Sequence, residues 1–364
     1  HRRRNPVRQI HQGLARRIAA LEQPIAVCLP DLWFVPAEHV KRQEQYVQPG
    51  DILISTANSY ELVGTYRDPA KAKGFEQQGI EMRPADLLKP ESLKDITKNV
   101  DVVIHLAGLM RFHDPFDLLY AHNVKATQII VEDALHHGVT HFIYSSSTEA
   151  IGPVTSIPGD ETSPYHPTYD YGKTKQIAEL WLNEKQQTAD LPLTILRPTG
   201  VYGPGDLYVT LSTVRAVAHK KLQLLPGKVE TYIHFTYVDD ISQGIQKTIE
   251  RPKHAIGETF ILASDAYITY KEMFTIIAKI VNVPPPSRSI PLSLAQAYLS
   301  IVQWKNKRKR IDDFVMHTSL IDTMRTNRAY SNAKAKRMLG FSPQYSYHEG
   351  MKKTIDWYKE KNLL

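Results

Sequence analysis

Two residue types four positions apart carry the sharpest chemical signal in this 364-residue chain. In Tyr171-Gly172-Lys173-Thr174-Lys175, a helix would place Tyr171 and Lys175 on one face with their polar ends close together. A phenol titrates near pH ~10 and is a weak base in neutral water. A neighbouring ammonium favours the phenolate, so Tyr171 could exchange a proton with a substrate hydroxyl or carbonyl near neutral pH. A hydroxyl donor is then needed to hold the substrate oxygen. The run Ser145-Ser146-Ser147 supplies candidates at the end of an apolar, strand-like stretch, where parallel sheets place their ligands.

The elements that must position these groups are legible from residue 65 onward. Strand-like segments (VGTYR, IEMRP, DVVIHLAG, THFIYSSS, LPLTILRPTG) alternate with helical stretches, including 115–137 and 171–186. That alternation implies a mostly parallel sheet covered by helices on both faces. In the 171–186 helix, Ile177, Leu180 and Leu182 are available for packing. Beyond Arg197 the chain turns to loops and shorter helices, as expected of a smaller lobe over a substrate.

The motifs around Tyr171 resemble the extended short-chain dehydrogenase/reductase family, within the NAD-dependent epimerase/dehydratase superfamily. The resemblance rests on HFIYSSSTEAIGP followed by YDYGKTKQIAE, on His105-Leu106-Ala107-Gly108 and on Asn123-Val124-Lys125-Ala126-Thr127. It continues through Arg197-Pro198, Val201-Tyr202-Gly203-Pro204-Gly205, FTYVDD at 235–240 and the tail AKAKRMLGFSPQ. SSSTEAIGP is similar in particular to the 3-beta-hydroxysteroid dehydrogenase/isomerase branch. The implied fold is α/β: a Rossmann-like doubly wound parallel sheet with a small C-terminal substrate lobe.

The resemblance implies a role for each matching position. Tyr171 is the general acid/base, and Lys175 lowers its pKa and hydrogen-bonds the nicotinamide ribose. Ser147 holds the substrate oxygen, with Ser146 a rival because the triplet leaves the register open. Asn123 braces the active-site helix and a proton-relay water. Ala107 and Gly108 let the backbone approach the cofactor, Pro198 lines its nicotinamide side, and Asp86-Leu87 contacts adenine. Arg67 ends the second strand, where a basic residue favours the extra phosphate of NADP over NAD, although Asp68 follows directly. The expected activity is hydride transfer between NAD(P) and a secondary alcohol or ketone, with a sterol-like substrate favoured. A sugar-nucleotide epimerase or dehydratase is the alternative, for which Arg215, Lys220 and Lys221 offer cations without a diagnostic pattern.

The front of the chain departs from this pattern. A dinucleotide site needs a glycine-rich turn between first strand and first helix, and no G-x-x-G-x-x-G run is present. DILIS (51–55) reads as a first strand, but the nine residues 56–64 are too few for a crossover helix. Residues 7–29 offer a second route, a helical stripe (Val7, Ile10, Leu14, Ile18, Leu21) followed by a strand candidate at Ile25 to Leu29. YVQPGDILISTANSYELVG is similar to a piece of type I restriction specificity subunits. Residues 1–64 are therefore set apart as an unmatched extension, a fusion or a junction, with 65–200 mainly cofactor core and 201–364 mainly substrate lobe. If the phosphate cradle is not rebuilt, an inactive reductase-like protein is the expectation. The opening at His1 rather than Met fits a processed or partial chain.

Composition bounds the remaining classes. Apolar residues at 42% and charged residues at 23% describe an ordinary globular chain. A single cysteine, Cys28, excludes disulfides within the chain and cysteine metal clusters, and no metal ligands are assigned. The net charge of +7 is concentrated in six arginines among residues 1–22, so nucleic acid is not expected as a partner. No apolar run is long enough to span a bilayer, and a cytoplasmic location is expected. The segment 290–310 pairs an apolar stripe (Leu294, Tyr298, Ile301, Val302) and Trp304 with a basic run, which fits either lobe packing or contact with an anionic membrane. The family resemblance also suggests a homodimer.

Overall fold

The computed structural model describes residues 25–28, 62–111, 114–222, 224–227, 230–286, 288–309, 315 and 318–364. Its centre is a seven-stranded sheet in which every pairing is parallel. The strands are β1 (Ile25–Cys28), β2 (Leu62–Tyr66), β3 (Glu81–Pro84), β4 (Val102–His105), β5 (His141–Ser145), β6 (Leu193–Pro198) and, after four short strands in the lobe, β11 (Thr259–Leu262). The four are β7 (Gly200–Tyr202), β8 (Leu224–Pro226), β9 (Tyr232–Ile233) and β10 (Phe235–Tyr237). Sheet order is β11-β6-β5-β4-β1-β2-β3. The reversal of direction at β1 is the switch point where doubly wound sheets bind dinucleotides.

Alternation along the central strands shows that both faces are covered. Val102, Ile104, Ile143 and Leu196 enter one apolar core, and Val103, Phe142, Tyr144 and Ile195 enter the other. A strand flanked by helices on both sides needs such continuous apolar character. Helices α1 (Pro69–Glu76), α2 (Phe116–Tyr120), α3 (Ala126–His136), α4 (Asp170–Thr188), α5 (Val209–Ala218) and α6 (Val238–Glu250) follow in chain order. They are succeeded by α7 (Pro252–Ala255), α8 (Tyr270–Ile280), α9 (Leu292–Lys309), α10 (Ser319–Met324), α11 (Ala333–Leu339) and α12 (Tyr347–Glu360). β11 pairs with β6, so the chain beyond residue 200 returns to the sheet edge.

Three features differ from the sequence expectation. Ile25–Cys28 takes the central position between β2 and β4, with Ile25 opposite both Leu62 and Val102. A fully buried β4 needs a neighbour on that edge, and this apolar tetrapeptide supplies one. β1 and the first residues of β2 lie before residue 65. DILIS, the stripe at 7–22 and the restriction-subunit-like piece before residue 62 lie outside the described residues.

The expected 115–137 helix is interrupted by a π-helical turn, Ala121–Lys125, between α2 and α3. Such a turn inserts one residue and marks functional positions. In α4, Leu182 is fully buried but Leu180 is 52% exposed. Two residues along a helix turn a side chain to the opposite face, so both cannot pack.

Candidate active site

The carboxyl ends of β4, β5 and β6 converge on the start of α4, and there the chemistry gathers. Gly172 lets this helix approach, because a Cβ at that position would sit 2.3 Å from the Glu149 carbonyl oxygen. The helix N-terminus thus lies against the turn Thr148–Ala150, backbone on backbone. Tyr171 and Lys175 are both buried on its inner face. Lys175 Nζ donates to Ser145 O at 2.8 Å and lies 4.8 Å from the Tyr144 ring centre and 5.9 Å from that of Tyr171.

Burial pushes both groups toward their neutral forms. The Tyr171 phenol is raised above its usual value by burial and by the Glu149 carboxylate, while a hydrogen bond with Ser147 acts in the opposite direction. Lys175 is lowered by burial to about 7, with Glu179 working against that fall. The lowered Tyr171 pKa expected from Lys175 is therefore not a property of the protein alone, since the dry pocket that unites the two disfavours both charges.

Ser147, not Ser146, faces the phenol. The Ser147 oxygen also accepts from Glu149 N at 3.1 Å, which fixes the turn that carries it. Ser146 is buried and its Oγ has no partner. Asn123 braces two elements: its Oδ1 accepts from Leu109 N at 2.7 Å, and its Nδ2 donates to Leu109 O and Thr174 Oγ1 at 3.0 Å. The π turn thereby ties the loop after β4 to the helix of Tyr171.

Gly108 and Ala107 follow β4 and are buried. A Cβ on Gly108 would lie 3.0 Å from Asn123 Oδ1 and 3.4 Å from Lys175 Nζ, so this backbone lies directly against the polar cluster. Pro198 ends β6 and lines a cavity together with Tyr171 and Lys175. Arg67 follows β2, while Asp86 and buried Leu87 follow β3. They lie on the other side of β1 from the Tyr171 cluster in the strand order. Asp86 Oδ1 accepts from Leu88 N at 3.0 Å.

A cavity of about 220 Å³ opens above Tyr171, Ser147 and Lys175. Met110, Val201, Phe235, Met273, Phe274 and Leu320 make much of its wall apolar. Two residues there carry polar contacts that sequence reasoning did not assign. Arg328, from the C-terminal lobe, donates from Nε to Glu149 Oε1 at 3.1 Å and from Nη2 to Thr168 Oγ1 at 2.9 Å. Glu149 stood inside SSSTEAIGP, but nothing in TNRAYS marked Arg328.

The described residues fit the nicotinamide end of a dinucleotide. Lys175 uses one of its three donors on Ser145 O, which leaves two for a ribose diol, and Gly108 keeps the neighbouring backbone open. The residues that follow β1 lie outside the described residues, and their sequence has no glycine between Cys28 and Gly50.

The family pattern described as "NAD dependent epimerase/dehydratase family" matches residues 53–263. This chain belongs to that family. It is 26% identical over 286 residues to the 3beta-hydroxysteroid-dehydrogenase/decarboxylase isoform 1 of Arabidopsis thaliana. That match covers 75% of this chain and 65% of the plant protein's length. Identity is also 26%, over 303 residues, to a decarboxylating sterol-4-alpha-carboxylate 3-dehydrogenase of Saccharomyces cerevisiae, covering 79% of this chain and 85% of the yeast protein. Among solved structures, a UDP-glucuronic acid 4-epimerase from Bacillus cereus in complex with NAD superposes with a TM-score of 0.65 at 21% identity. It covers 83% of this chain and 92% of the epimerase, and at that identity the likeness is one of fold. The chain is thus an extended short-chain dehydrogenase/reductase with a Rossmann-type sheet, in an NAD-dependent family whose relatives include sterol dehydrogenases.

Proposed function

We propose that this protein is an NAD(P)-dependent oxidoreductase acting on a bulky, apolar secondary alcohol or ketone of sterol-like character. The observation that carries this reading is the apolar wall of the cavity above the Ser147–Tyr171 hydrogen bond. The names of the plant and yeast relatives support the substrate class.

In oxidation, Tyr171 takes the substrate hydroxyl proton at its phenol oxygen while Ser147 donates a hydrogen bond to the substrate oxygen. A bound nicotinamide supplies the hydride acceptor or donor. Lys175 would hold the ribose, and in its protonated form its charge favours the phenolate against the burial that opposes it. Asn123 keeps the β4 loop and the Tyr171 helix in register. The apolar walls exclude water from the reacting oxygen.

The sugar-nucleotide reading has less support in the cavity. Its basic lining residues, among those described, are Lys175, His234 and Arg328, and Arg215, Lys220 and Lys221 are not in its wall. Arg215 Nε is spent on Leu363 O at 2.8 Å. Binding of UDP-sugars and of a soluble hydroxysteroid to cofactor-loaded protein separates the two readings, and preference for the UDP-sugar defeats the one proposed.

Arg67 favours NADP. Asp68, the competing acid, accepts from Ala70 N at 2.9 Å and caps α1, so its carboxylate is turned to the helix rather than to a ribose. Dissociation constants for both cofactors test this, and a clear NAD preference refutes it.

We also propose peripheral contact with an anionic membrane through α9. Among the described residues no helix is long and apolar enough to cross a membrane. Most of the stripe that could have packed on the lobe faces outward: Leu294, Tyr298 and Ile301, with Trp304 after them, are each more than half exposed, while Val302 is half-buried. Lys305, Lys307, Arg308, Lys309 and Arg310 follow in sequence, which suits an interface of apolar tails and phosphates. Co-sedimentation with anionic but not neutral vesicles is expected, and equal or absent binding refutes it.

A further inference from the structure

The Tyr171 site is assembled from two lobes, and Arg328 is one of the side chains that join them. Arg328 is buried and comes from the chain just after α10. It reaches the serine turn through Glu149 Oε1 and the approach to α4 through Thr168 Oγ1. It also donates to Thr326 Oγ1 and to Thr323 O at 3.5 Å, and lies over the Tyr169 ring with its central carbon 5.5 Å from the ring centre. The other Glu149 oxygen, Oε2, is buried without a hydrogen-bond partner. A carboxylate held by one hydrogen-bonding cation on one oxygen, in a cavity of low polarity, keeps a strong field toward its other neighbours.

We propose that Arg328 is a positioning residue that holds the Glu149 carboxylate beside Tyr171, so that the two side chains together set the charge against which Tyr171 gives up and takes its proton. This rests on the reading of Tyr171 as the acid/base group. The groups that face Tyr171 are Glu149, Lys175, Tyr144 and the Ser147 hydroxyl. Those that face Glu149 are Arg328, Tyr169, Tyr171, Tyr270 and Tyr330. Among the described residues around Tyr171 and Glu149, then, the cations are Lys175 and Arg328, and of the two it is Arg328 that is hydrogen-bonded to the Glu149 carboxylate. Glu149 raises the Tyr171 phenol, so removing its charge should ease ionisation, whereas removing Arg328 leaves that charge uncompensated.

The test is the pH dependence of kcat/KM for oxidation of a soluble hydroxysteroid by the full chain with saturating oxidised cofactor. In that direction the rate rises with pH as Tyr171 ionises. Glu149→Gln keeps an oxygen for Arg328 and should move the rise to lower pH by about one unit. Arg328→Met should move it to higher pH by a similar amount, and Arg328→Lys should return it toward the wild type. A role confined to tying the lobes together would lower kcat without moving the midpoint, and that result overturns the proposal. If Arg328→Met does not fold, Glu149→Gln decides alone, and an unmoved or upward midpoint refutes. Activity retained by Tyr171→Phe, or no turnover by the wild type, overturns the acid/base reading and this inference with it. An inactive Tyr171→Phe beside unmoved profiles overturns the inference only.

Discussion

Replacing Lys175 by methionine should stabilise the chain at neutral and acidic pH while removing its hold on the cofactor. Methionine keeps the length and apolar bulk of the stem, so the change is chiefly one of charge. Burial lowers the ammonium from 10.5 to about 7. The unfolded chain therefore keeps the Lys175 proton up to about pH 10.5, whereas the folded chain releases it near 7. Between those values the unfolded state binds the extra proton, so this group makes wild-type stability rise with pH. Below pH 7 its full cost is present. At about 1.4 kcal/mol for each pH unit, the fall corresponds to ~5 kcal/mol. Losing the hydrogen bond to Ser145 O offsets part of that, roughly 1–2 kcal/mol, and leaves a net gain of ~3 kcal/mol at about pH 6. Urea unfolding of both proteins between about pH 6 and 10 measures it, and the advantage should shrink steadily as pH rises. A variant less stable than wild type by a constant amount across that range would show that Lys175 is not penalised by burial.

Gly108→Ala should cost ~1–3 kcal/mol and weaken cofactor binding, because its Cβ would press on Asn123 Oδ1 at 3.0 Å; calorimetry and cofactor titration read the two effects. Gly172→Ala should lose more than ~2 kcal/mol despite alanine's better helix propensity, since the obstacle at 2.3 Å is the Glu149 backbone and cannot swing away; thermal unfolding checks this. Arg67→Ala should cut NADP affinity by roughly tenfold or more while leaving NAD nearly unchanged, as titration with each cofactor would show.

Legibility from sequence followed locality. Tyr171 and Lys175 share a helix, so spacing alone paired them, whereas Ser147, just past the end of β5, and Gly108, after β4, were singled out by the motifs of the family resemblance. Asn123 was found through its motif, but not the π turn that aims it, because an extra residue in a helix leaves no mark on an apolar period. The first strand was ambiguous for a related reason. IAVC and DILIS are both short apolar runs; Ile25–Cys28 pairs with β2 and β4, while DILIS lies outside the described residues. Arg328 was invisible because its meaning depends on Glu149, 179 positions away in the chain. The outward face of α9 read equally well as core, since amphipathic spacing says nothing about what covers it.

The central claim is that Tyr171 exchanges the proton of a secondary alcohol at a working nicotinamide site, although no glycine fingerprint precedes it. Its most direct test is the formation of reduced cofactor when the full chain is given a hydroxysteroid and NADP or NAD, beside the Tyr171→Phe variant. The account predicts turnover that falls by roughly 10²–10⁴-fold in the variant with cofactor binding retained. Turnover unchanged by Tyr171→Phe, or none in a wild type that fails to bind either cofactor, would contradict it.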